Sequence, residues 1–159
     1  PCPCGYLGHP RQPCSCPPSA IDRYRRRISG PLLDRIDLRL EVPPPTLDEL
    51  APETRAGCSP PPGLDSLTLR GIVERARERA GARGQTVTNA SLDGEALDRF
   101  APVAGKARVL LERATHARGL SARALQSLRR VALSIADLTG ERSSPGQEEF
   151  AEALALRRE

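Results

Sequence analysis

At 159 residues the chain has room for one ordinary domain, or for one domain with a small appendage. It has no Trp and only 3% aromatics, so a core must come from Leu, Ile, Val and Ala, which suits packed helices, while 16 prolines and 13 glycines imply long irregular stretches. The formal charge of +4 sits at one end, where residues 1–27 carry five arginines against Asp22 while the remainder balances; with no run of 18 apolar residues, a membrane-spanning helix is excluded.

Residues 1–18 read as a Pro-, Gly- and Cys-rich loop. Ser19, three before Asp22, has a capping arrangement, and Ile21, Tyr24 and Ile28 follow on one face of a short helix. Ser29-Gly30-Pro31 breaks it, and Pro31 can open a second brief turn through Leu32-Leu33-Asp34-Arg35. In IDLRLEV, 36–42, Ile36, Leu38, Leu40 and Val42 alternate with Asp37, Arg39 and Glu41, the period of a half-buried strand. Pro43-Pro44-Pro45 stops that strand. TLDEL, 46–50, offers one helical turn, with Thr46 and Glu49 in capping-box spacing. The stretch 43–65 as a whole reads as a Pro-rich linker that holds Cys58, an idle thiol.

From residue 66 the period becomes helical. Leu69, Ile72, Val73, Ala76 and Ala80 make one stripe over about 67–80. Short pieces follow around Leu92 and over Gly94–Phe100, then a helix over about 105–117. Ser121 caps the next, about 122–138, whose core face is Leu125, Leu128, Val131, Ala132, Ile135 and Leu138, with Gly140 closing it. The last helix starts with Ser144 as N-cap, Pro145 at N1 and Gln147 at N3; Phe150 and Leu154 face inward, and Arg157 and Arg158 suit the C-terminal dipole. The second half is thus a helical bundle, and no internal repeat occurs.

Cys2, Cys4, Cys14 and Cys16 form two C-x-C pairs separated by a turn-rich loop. Four thiolates suit a structural, tetrahedral zinc, and a short loop without a core gains its fold from such a metal. His9 can replace one cysteine. Disulfides are the rival reading, but an isolated cluster in a helical protein without secretory features argues for metal. Four thiolates leave no open position, so a catalytic zinc is not expected. Next to this loop, Arg23, Arg25, Arg26 and Arg27 form a basic patch that reads either as a contact for nucleic-acid phosphate or as a solvated surface.

CPCGYLG (2–8), RYRRRISGPLLDRIDL (23–38) and LSARALQSLRRVALSIADLTG (120–140) together resemble the C-terminal part of the magnesium chelatase-like AAA+ ATPases of the ComM/YifB competence type. The resemblance implies a mainly α fold: a lid-type helical bundle preceded by the last strand of an α/β AAA+ core and a small zinc loop. Residues 1–42 would be the tail of the core module, with the zinc loop at 1–18 and an arginine-finger segment at 29–42, and 66–159 the lid. The arginine of the LLDR segment, Arg35, would reach the γ-phosphate bound by the neighbouring subunit, and that of the LSAR motif, Arg123, would be a sensor arginine contacting nucleotide. A planar guanidinium that stays charged suits both tasks. At 100° per residue Arg123 lies about 130° from the apolar stripe of its helix, so it is free to meet a ligand.

The P-loop pattern G-x-x-x-x-G-K-[ST] does not occur, Gly105-Lys106-Ala107 being the one GK, and no acidic Walker B strand is visible. The chain therefore reads as supplying the arms of an ATP site and not its cradle, with ATP and Mg expected in the full-length protein. The chain begins at Pro1 and holds no Met, so it reads as a fragment. The whole protein is expected to be a cytoplasmic, hexameric, ring-forming ATPase acting on DNA in branch migration or recombination during natural transformation. Two alternatives stand beside this: the ATPase subunit of a magnesium chelatase, and a stand-alone zinc-binding module that contacts nucleic acid.

Overall fold

The computed structural model describes residues 2–9, 11–40, 42–43, 45 and 64–157. The expected turn at 46–50, most of the 43–65 linker, Cys58 and Arg158 lie outside the described residues. Those that are described comprise seven α-helices and one 3₁₀ turn, grouped into two compact units, residues 1–36 and 37–159.

The first unit holds the cysteine loop and two short helices. Helix α1 (Pro18–Arg25) starts from Pro17 with Pro18 in its first turn, so ring-fixed backbone and not the Ser19 hydroxyl sets its start. Its expected apolar face is barely covered: Ile21 is half-buried, while Tyr24 and Ile28 are exposed. Helix α2 (Gly30–Asp34) is capped by Ser29, whose Oγ accepts from Leu32 N, and Pro31 sits in its first turn as expected. Arg35 is its C-cap.

The second unit is a bundle of α3 (Ser66–Ala82), a 3₁₀ turn (Asn89–Ser91), α4 (Gly94–Phe100), α5 (Gly105–Arg118), α6 (Ala122–Thr139) and α7 (Gln147–Ala155). Asp65, Asp93 and Ser121 cap α3, α4 and α6 through side-chain oxygens that accept backbone N–H groups. At the far end of α6, Gly140 has φ 73°, and its N–H closes on Ala136 O.

Helix α6 is the axis of the bundle, packing against α7, α3, α4 and the 3₁₀ turn. One of its faces meets α5 and α7 through Leu128, Ala132, Ile135, Phe150 and Leu154, and a second meets Leu92, Leu97 and Ala101 through Leu133. Each large apolar side chain buried this way contributes about 1.5–3 kcal/mol. The stripe expected for α6 is therefore half of its buried surface: Leu133, Ala136 and Asp137 are buried as well, while Leu138 stays exposed.

Three expectations are corrected. Residues 36–40 form no strand, because the described residues include no second strand to supply a ladder. The segment also presents the opposite face from the one expected. Ser127 donates to the Asp37 carboxylate, and Arg39 N donates to Leu156 O at 2.8 Å, so the charged positions meet the helices. Ile36, Leu38, Leu40 and Val42 are 38, 48, 72 and 84% exposed. Helix α7 starts at Gln147 from Gly146, two residues later than Ser144 and Pro145 suggest, because Glu149 at N3 reaches back to accept from Gly146 N at 2.7 Å. Arg157 is 6% exposed and donates to Ser127 Oγ at 3.5 Å; it is an internal residue and not a surface group at a helix end.

Candidate metal centre and exposed arginines

The cysteine loop is drawn together by two tight turns, in which Gly5 N donates to Cys2 O and His9 N to Tyr6 O. Gly5 and Gly8 both have φ 84°, a conformation a β-carbon would strain, which explains glycine at these positions. The loop brings both C-x-C pairs to one point. Cys2 and Cys4 Sγ are 3.4 Å apart, and Cys14 Sγ is 3.5 Å from each of them. All four sulfurs, Cys16 included, lie within 4.8 Å of one another. No pair is bonded as a disulfide, and Cys2 is buried at 3% exposure while the other three are half-buried.

A tetrahedral zinc with Zn–S bonds of about 2.3 Å has sulfur–sulfur edges of about 3.8 Å, so the cluster fits such a metal with little adjustment. The protonation chemistry agrees. The Tyr6 N–H, with help from the neighbouring thiols, brings Cys4 down to about 6. Cys14 is favoured as thiolate by the Cys16 N–H, yet loss of hydration and the surrounding sulfurs outweigh this and push it up to about 12. Crowded sulfurs cannot all ionise by themselves; a cation at their centre removes the conflict. His9 does not join the set. Its Nδ1 accepts from Arg11 N and Gln12 N, and its ring packs edge-on against Tyr6, so it is a turn-forming residue.

Arg23 and Arg25 lie on α1, with Arg26 and Arg27 just beyond it, and all four are exposed. The Arg27 guanidinium stands 5.7 Å from the Tyr24 ring centroid. Arg35 is exposed; its backbone N–H closes α2, and among the described residues no hydrogen bond or ion pair engages its guanidinium. Arg123, in the first turn of α6, is likewise exposed and unengaged, as its distance from the apolar stripe implies.

Sequence reasoning missed two buried polar groups on α6. Asp137, 3% exposed, accepts from both terminal nitrogens of Arg83 and, at 2.8 Å, from Asn89 Nδ2, tying α3 and the 3₁₀ turn to α6. Ser127, 2% exposed, joins Arg157 to Asp37. The available signal was Ser134 and Asp137 beside Leu133, a polar pair on a second face of an already apolar helix.

Residues 63–157 match the family model for the C-terminal part of magnesium chelatase, subunit ChlI, and residues 1–50 match that for magnesium chelatase, subunit ChlI. Among curated proteins, the chain is 37% identical over 161 residues to an uncharacterized protein of Mycobacterium tuberculosis, covering 99% of this chain and 30% of that protein. It is 39% identical over 123 residues to YifB of Escherichia coli, covering 77% and 23%, and 36% identical over 140 residues to the competence protein ComM of Haemophilus influenzae, covering 88% and 26%. The chain thus spans less than a third of the length of these relatives. With its C-terminal model matched over more than half of the sequence, the chain belongs to the magnesium chelatase ChlI-like family and is homologous to ComM and YifB.

Proposed function

We propose that this chain is the C-terminal part of an ATP-driven, ring-forming DNA motor, in which it supplies an arginine finger, Arg35, to the nucleotide of the neighbouring subunit and a sensor arginine, Arg123, to its own. The observation that carries this reading is the pair of exposed, unengaged guanidiniums, each at the end of a helix that fixes its base. Phosphoryl transfer develops charge on the γ-phosphate oxygens, and a guanidinium placed against them acts on the transition state more than on binding. The cysteine cluster would hold a structural metal such as zinc, and the arginines beyond it, Arg23 to Arg27, would contact DNA phosphates. Kinship with a competence protein supports DNA uptake and recombination as the process. The test is ATP hydrolysis by the full-length protein with and without DNA. Stimulation by DNA supports the reading, and hydrolysis indifferent to DNA contradicts it.

The family description favours a second reading, the ATPase subunit of a magnesium chelatase. The four-cysteine loop beside a basic helix weighs against it. ATP-dependent magnesium insertion into a porphyrin by the full-length protein with its partner subunits would decide for it.

A further inference from the structure

The segment that follows Arg35 is attached to the helical bundle at two points. Asp37 accepts a hydrogen bond from the Ser127 hydroxyl, and Arg39 N donates to Leu156 O. Ser127 is almost fully buried and in turn accepts from Arg157, itself 6% exposed, so the attachment is backed by a buried charge. Side chains along an extended segment alternate, and that is why positions 37 and 39 reach the helices while Leu38 and Leu40 face away. On α6, Ser127 lies one turn after Arg123 and on the same side of the helix. A helix is stiff along its axis, so a displacement of α6 at Arg123 carries Ser127 with it.

We infer that Asp37 is a positioning residue that couples the bundle to Arg35: the Asp37–Ser127–Arg157 chain transmits movement of α6, driven at Arg123, to the finger two residues upstream of Asp37. The inference rests on the arginine roles proposed above. Asp37 itself touches no nucleotide. Its loss leaves the guanidinium in place but its base loosely held, and a misplacement of about 1 Å costs about 10²-fold in rate.

The experiment compares full-length Asp37→Ala, Ser127→Ala, their double variant, Asp37→Asn, Ser127→Thr and Arg35→Ala by steady-state ATP hydrolysis, with thermal unfolding as a control. Asp37→Ala is made at an exposed position, so the fold survives it. The expected result is a kcat loss of up to about 10²-fold in each Ala variant at unchanged KM, with the double variant no worse than either single one. Asn at 37 and Thr at 127 keep an acceptor and a hydroxyl and retain most of the rate. A wild-type kcat for Asp37→Ala, while Arg35→Ala is inactive, overturns the coupling and leaves the finger standing; multiplying losses in the double variant also overturn it. A wild-type rate for Arg35→Ala overturns the finger, and the coupling with it.

Discussion

Cys4 Sγ lies 3.5 Å from Cys14 Sγ across a ten-residue separation, too far for a disulfide and close to an edge of a thiolate tetrahedron. The purified, reduced chain is therefore expected to carry about one zinc. Elemental analysis checks this, and metal-free protein with all four thiols titratable would contradict it. Replacing Cys4 and Cys14 with Ser is expected to release the metal and disorder the loop, while the helical signal of the bundle persists, because that unit is stabilised by its own apolar core. Circular dichroism and amide exchange distinguish the two regions.

The Arg83–Asp137 pair should matter far more to stability than the Arg108–Glu112 pair. The first has side-chain exposures of 12 and 4%, the second 70 and 56%. Removing one partner of a buried pair strands the other charge, so Asp137→Ala is expected to destabilise the bundle by about 3–5 kcal/mol. Glu112→Ala breaks an exposed i,i+4 pair and costs about 0.3–0.5 kcal/mol. Denaturant unfolding of the two variants measures both, and equal effects would refute the packing described for α3 on α6.

Replacing Arg23, Arg25, Arg26 and Arg27 together with Ala in the full-length protein should weaken DNA binding without changing sequence preference. If each guanidinium meets a phosphate, the slope of log K against log salt becomes shallower by about 3.6 on duplex DNA. Binding that is unchanged at low salt would move these residues from the DNA contact to some other role.

Most of the bundle was legible because its helices are bounded by side chains that act locally. Asp65, Asp93 and Ser121 accept their own N3 or N2 amides, and Gly140 ends α6, so sequence and structure agree there within a residue or two. The metal ligands were legible as two C-x-C pairs. What was not legible depends on partners distant in sequence. Alternation in 36–42 announces two faces but not which is covered, and Ser127, 90 residues away, decides that in favour of Asp37. Asp137 reads as a surface residue until Arg83 and Asn89 are seen to enclose it. Arg157 resembles a helix-end cation, yet the bundle buries it against Ser127.

Arg123→Ala in the full-length protein should slow hydrolysis and nucleotide-driven closure of the bundle while leaving its unfolding midpoint nearly unchanged, since the side chain is exposed and unengaged. An unfolding midpoint that drops sharply would show that the residue supports packing instead.

The trans role of Arg35 is the central claim. Arg35→Ala should abolish hydrolysis in the full-length protein while ATP binding stays intact, a loss of about 10³–10⁵ in rate, and Lys should rescue poorly because a point charge cannot reproduce the planar fork. Subunit mixing tests the claim most directly. An Arg35→Ala subunit and a subunit with a disabled P-loop are each inactive alone, but at a mixed interface one lends the cradle and the other the arginine. Partial recovery of ATP hydrolysis on mixing is the predicted result; mixed rings that assemble and stay inactive would contradict it.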